Sequence, residues 1–455
     1  MAWSRALGCG SRTESGCSCH HDGVVSSAVN EGAGALIYPH RFCSARQRNE
    51  RLGRVLRLVA GVKTVDERLL EQLGRRMFAR DELGARLATA MRLTKDDPGR
   101  VSMAQFHAAL PDGIDAVPQA PEALREFFAV IDEVPGWVDF DLLERGAEVF
   151  RRFGRSRDDV LLQLSLIGGY RFAGPADLLV LTGGLTGSSA MRRLGETQKW
   201  ADAVSSPAGM RRSGEGFQLT VHVRVTHALV NHQFETSGRW DIPHYGLPIN
   251  QSDQAGTLGL FSGAVLLGVR VLGRIVTRSE SLAVMHLWKY VGWLLGIDQE
   301  WLFDTEGDQN VFNYHVVLAQ AGATPAGAAL AAALVDGQLT QNYGRLNTFR
   351  GHYARLRMLS MLRYFLGKQG LRDLDLPITP IWAIPLIVAR NLVESGLIAR
   401  TSLGRRYLGY ANDRTSQRLL KLRFGTAPAE IGALPTLTPP LLSDAVPAKG
   451  WRQPD

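Results

Sequence analysis

Phe217-Gln-Leu-Thr-Val221-His-Val-Arg224-Val-Thr-His227-Ala admits two readings. Phe217, Leu219, Val221, Val223 and Val225 alternate with Gln218, Thr220, His222, Arg224 and Thr226, the period-two signature of a half-buried strand. The same letters set Phe217, Val221 and Val225 at i, i+4 spacing, one stripe of a helix. A strand here implies a sheet around it. A helix instead carries one His among apolar residues, with an Arg three positions before it, and a lone His in such a stretch is ordinarily a satisfied core residue.

Two flanking clusters bear on the choice. Upstream stand Arg193-Leu-Gly-Glu196-Thr197 and Trp200; downstream stand Gly246-Leu-Pro-Ile-Asn250-Gln251-Ser-Asp253 and Thr257. On a helix, steps of three and four put Arg193, Glu196 and Thr197 on one face, which then presents a cation, a carboxylate and a hydroxyl. The ordinary reading of such a face is a surface ion pair of little energetic weight. Together with a buried His, it also suits an anionic, apolar cofactor.

The ordered set R-x-x-E-T, R-V-x-H-A and G-x-P-x-N-Q-x-D-x-x-x-T resembles the haem-dependent oxygenases that include bacterial latex-clearing proteins and the mycophenolate-pathway oxygenase MpaB. The resemblance covers about residues 121–296 and is tightest over 193–257. It implies an all-α fold, a globin-like helical core with additional helices, and so a helix over 217–227. It also implies haem b with His227 as the iron ligand, through neutral imidazole.

In that family the R-x-x-[K/E]-T motif lies on the distal side, and latex-clearing proteins carry a Lys where this chain has Glu196. A carboxylate is a poor partner for ferrous haem, so Glu196 is expected to act on water or oxygen as a proton donor or base. This departure argues against polyisoprene itself as substrate. Arg193 and Thr197 are expected to orient oxygen. Arg224 is expected to meet a haem propionate through a charge-assisted bond or to brace the iron ligand's surroundings. Asn250, Gln251 and Asp253 are expected to brace the His227 helix. The partners implied are molecular oxygen and an apolar, unsaturated small molecule of the alkene or isoprenoid class.

Other chemistries find less support. His222, His227 and His232 are five apart, which scatters them around a helix instead of forming one facial triad. H-E-x-x-H and G-x-S-x-G do not occur. The rival from another class is a cofactor-free helical module that binds lipid or protein at a membrane surface.

The chain has 455 residues, a formal charge of +8 and 45% hydrophobic residues; only seven of its 52 basic residues are Lys. Its basic runs, residues 41–63 and 400–423, are interleaved with Leu and Val at helical spacing. They read as solvated helix faces, with a membrane surface as a lesser use. Nucleic acid is not expected as a partner, since clustered basic and stacking residues are missing.

Residues 1–45 read as a disordered leader, residues 46–425 as one helical domain and residues 426–455 as a Pro-rich tail. All four Cys (Cys9, Cys17, Cys19 and Cys43) fall in the leader with no zinc-finger spacing. Neither a secretory core nor a membrane span is expected, so the location expected is cytoplasmic, with peripheral membrane contact as a lesser possibility.

Further helices are expected from a capping box at Thr64–Glu67 running to about residue 92, from Pro121, and over 137–153, 160–170, 260–272, 281–295, 325–334 and 347–365. Gly183-Gly184-Leu-Thr-Gly187 reads as a turn bringing the Arg193 face to the site. His286 reads as core packing. Residues 376–389, uncharged but broken by Pro377, Pro380 and Pro385, are expected to form an ordinary buried connection, with contact to a bilayer or a place in a substrate entrance as the alternatives.

Overall fold

The computed structural model describes residues 36–183 and 187–425. The leader as far as residue 35, the tail from residue 426 and positions 184–186 of the glycine turn lie outside the described residues. Within them the chain is helical throughout, and no strand occurs.

The decisive stretch lies inside one helix, Glu215–Ser237. Phe217, Val221 and Val225 are buried at i, i+4 spacing, as are the polar Thr220 and Arg224. Those two are matched inside the protein: Thr220 Oγ1 accepts from Trp200 Nε1 at 3.0 Å, and Arg224 pairs with Asp81. A helix enclosed on most sides has no solvent face to set its hydrophobic period, which is why strand-like alternation coexists with helical geometry.

This helix forms a hairpin with Gly187–Val204. Gly216 permits the close approach, because a Cβ there would stand 2.7 Å from the Ala203 carbonyl oxygen. Beneath the hairpin, Trp200, Phe261, Trp288 and Phe150 form an aromatic cluster with ring centroids 5.0–5.7 Å apart. Trp288 comes from the helix Arg278–Leu294, which packs against Phe140–Arg152. Residues 251–271 are apolar enough to cross a membrane by length and composition. They are nevertheless two helices broken at Ser262, with Leu258, Val265, Leu266 and Val269 in the core.

Several expectations need correction. Asp66, not Thr64, caps its helix, accepting from the Arg68 and Leu69 amides, and that helix ends at Arg76 before a second begins at Glu82. Residues 160–170 contain a π-helical segment, Leu161–Leu166. Residues 36–45 are part of the packed body. Arg41, which reads as a solvated basic residue, is 1% exposed; it donates to the Tyr245 carbonyl at 2.6 Å and pairs with Asp253. Residues 376–389 are not a buried connection, since Ile378, Ile381, Trp382 and Leu386 are exposed.

The Arg41–Asp253 pair ties the amino-terminal segment to the helix Gln251–Phe261. Arg41→Ala would strand a buried carboxylate, at a cost of about 3–5 kcal/mol. Urea denaturation is expected to show a loss of that order, and a change below ~1 kcal/mol, the range of an exposed pair, would contradict the assignment.

Candidate functional site

Trp200 and Thr220 pin the two arms of the hairpin to each other. Seven residues back along the first arm stands Arg193; seven residues on along the second stands His227. Each therefore lies about 10 Å beyond the pin along its own helix, away from the loop that joins the two. Arg193, Glu196 and Thr197 share the face of their helix that Trp200 occupies, while Thr220, Val223 and His227 share a face of theirs. All of these except Trp200 and Thr220 are half-buried, unlike the enclosed residues nearer the pin.

The electrostatics single out His227. Half-buried as a residue, it is the one histidine among the described residues with a buried ring nitrogen, Nδ1, that has no hydrogen-bond partner. His286 accepts the Asp139 amide at 3.0 Å and meets Trp137 edge-on, the packing role expected of it. His315 uses both nitrogens, at 2.9 Å from the Asp66 amide and 2.8 Å from the Val311 carbonyl. Burial pushes the His227 imidazole below its ordinary range, and the opposing effects of the Gln254 amide and Asp81 are smaller. The ring is therefore neutral near pH 7, the form that ligates a metal. His222 stacks on His107 and His232 feels Arg92 and Arg80, so the three histidines of this helix face different neighbours.

Opposite His227, Arg193 donates to the Thr182 carbonyl at 2.7 Å and to its hydroxyl at 3.3 Å. Glu196 pairs with Arg192 at 3.2 Å, and Thr197 Oγ1 donates to the Arg193 carbonyl. Arg224 differs from its expected propionate role. Its Nε and Nη2 meet the two Asp81 oxygens at 2.6 and 2.7 Å, and Nη1 donates to the Leu294 carbonyl. With its fork committed in this way it is a brace, the other role the sequence suggested.

Residues 151–394 match the family described as "ER-bound oxygenase mpaB/B'/Rubber oxygenase, catalytic domain". The chain belongs to this oxygenase family. It is 24% identical to the rubber oxygenase of Streptomyces sp. (strain K30) over 285 residues, covering 62% of this chain and 67% of that protein. The structure of latex clearing protein LCP in the closed state shares the fold, with a TM-score of 0.56 and 18% identity over 75% of this chain and 91% of that one.

Within the oxygenase domain, the downstream motif braces the site indirectly. Asn250 caps its helix by accepting from the Asp253 amide, and Gln251 spans the Gly296 carbonyl and the Asp298 amide. The direct tie to the His227 helix is Asn231, whose amide accepts from Ile249 N at 2.8 Å and donates to Ile249 O at 2.7 Å. Asn231 stands four residues after His227, and only that helical spacing could have marked it in the sequence. Tyr170 is a second residue the sequence did not mark: burial raises its hydroxyl well above the ordinary range, against the opposing charge of Arg193.

Because the folded protein holds His227 below its unfolded value, the unfolded chain takes up the proton first. Stability is therefore lost as pH falls from about 6.5 towards the folded value. His232 and His286 are shifted in the same direction. His227→Gln is expected to flatten the acid side of a plot of urea midpoint against pH, and an unchanged slope would contradict this reading.

Proposed function

We propose that this chain is a haem b-dependent oxygenase acting on an apolar, unsaturated small molecule of the alkene or isoprenoid class, with His227 as the protein ligand to iron. The observation that carries the proposal is the neutral imidazole with a buried, unsatisfied ring nitrogen, on the helix that pairs with the one carrying a cation, a carboxylate and a hydroxyl along its Trp200 face. The donor set fits the group, since neutral imidazole is a standard axial ligand of haem. When bound, haem supplies the redox chemistry that activates oxygen.

The remaining roles belong to this chain's own side chains. Arg193, anchored on Thr182, fixes a positive charge and hydrogen-bond donors where negative charge develops on oxygen. Thr197, held to the Arg193 carbonyl, limits how a small ligand can turn beside it. The Glu196 carboxylate, part-exposed and paired to Arg192, connects this face to solvent and can hold or pass a proton. Leu219, Val223 and Val230, half-buried on the His227 side of their helix, offer apolar surface to a hydrocarbon. Arg224 and Asn231 fix the rotation of that helix and so aim the imidazole.

Protein produced in haem-supplied cells is expected to show a Soret band and a positive haemochrome assay, and His227→Ala to lose both. A colourless wild-type protein, or undiminished haem in the variant, would overturn the assignment. Arg193→Ala and Glu196→Gln are expected to keep haem yet lower oxygen uptake with an unsaturated lipid by roughly a hundredfold. Wild-type rates in both variants would remove this face from the reaction.

A further inference from the structure

The helix Ala383–Gly396 is apolar on its outward side as well as its inward one, where Ala383 and Ile384 are buried and Ile387 and Val388 pack against the core. Its buried side ends in polar residues. Asn391 Nδ2 donates to the Leu272 carbonyl at 2.7 Å and its Oδ1 accepts from Ser156, while Glu394 pairs with Arg274 at 2.6 Å. Its outward side is a stripe at helical spacing: Trp382 is 36% exposed, Leu386 68%, Val393 48% and Leu397 65%, and Ala389 falls between them. The stripe runs about 22 Å.

Ordinary surface helices put polar groups out and apolar groups in. Here the outward side is apolar too, and the buried Arg274–Glu394 and Asn391 contacts hold it outward, because turning the stripe inward would expel them. A continuous exposed apolar surface of this kind marks an interaction site.

The stripe runs into a basic segment, folded back at its start where Arg405 donates to the Ala399 carbonyl, and that charge indicates what covers it. Between residues 378 and 418 the exposed charges are Arg390, Arg400, Arg405, Arg406, Arg414 and Arg418, against Asp413 alone, because Glu394 is buried. Leu403, Tyr407 and Tyr410, on the following helix Ser402–Phe424 with Arg405 and Arg406, are also exposed. Two copies meeting through such a face would bring like charges together. An anionic lipid surface instead takes the apolar stripe between its headgroups and the guanidinium groups at its phosphates.

We infer that the Trp382–Leu397 stripe and its arginine rim dock this protein peripherally on an anionic membrane surface, with the Ala383–Gly396 helix lying in the plane of the interface. This docking is independent of the haem assignment, and its test reads binding alone.

The full chain is mixed with phosphatidylcholine vesicles and with vesicles of phosphatidylcholine and phosphatidylglycerol, and sedimented at low and high salt. Two variants are compared, L386S/V393S/L397S and R400Q/R405Q/R406Q, with circular dichroism and melting temperature as controls on folding. The wild type is expected to sediment with the anionic vesicles and less so at high salt. The arginine variant should partition roughly a hundredfold more weakly, and the leucine–valine variant should lose binding to both vesicle types. Absence of wild-type binding to anionic vesicles, or undiminished binding by the leucine–valine variant, would overturn the inference. So would a concentration-dependent dimer that this variant abolishes, since the occupant would then be a second copy.

Discussion

A ring nitrogen set inside a protein without a partner costs about 1–3 kcal/mol relative to one that is satisfied. Nδ1 of His227 is in that condition, whereas Nε2 of His286 accepts the Asp139 amide and both nitrogens of His315 are matched. Burial keeps the imidazole neutral, and the Trp200–Thr220 bond joins its helix to the one that carries Arg193. Unmet polar groups in folded proteins are uncommon, and they gather where something else is to be bound.

The rest of the structure fixes the rotation of the His227 helix. Trp200 to Thr220 sets its level against the facing helix, Asp81 to Arg224 pins one side, and Asn231 to Ile249 pins the turn after the histidine. A slip of one residue turns a helix by about 100° and would carry the imidazole off the Arg193 face. Buried ion pairs contribute little net stability, because desolvation offsets their attraction, but they discriminate strongly between one register and its neighbours. The same physics recurs at Arg274 and Glu394, which hold an apolar stripe outward at the far side of the domain.

Much of this was legible in the sequence. The helical class, the common face of Arg193, Glu196 and Thr197, and the family follow from residue types in a fixed order. Local pattern failed where burial supplied the signal. The alternation from Phe217 to Thr226 looked like a strand because Thr220 and Arg224 are polar residues with interior partners, which a one-dimensional pattern cannot show. Arg224 offered two roles until Asp81, 143 positions away, took its fork. Arg41 read as a solvated cation because its partner Asp253 lies 212 residues along the chain. The stretch 376–389 reads as buried because apolar residues are assumed to face inward, and the contacts that leave its second apolar side outward come from Ser156, Leu272 and Arg274.

Under the proposed function, one imidazole of this chain ligates iron. Resonance Raman spectroscopy of the reduced protein, prepared with ordinary and with ¹⁵N-labelled histidine, reads that bond directly. The expected result is an iron–imidazole stretching band that moves on labelling and disappears in His227→Gly. A spectrum with no label-sensitive band, or one that survives unchanged in that variant, would contradict the account.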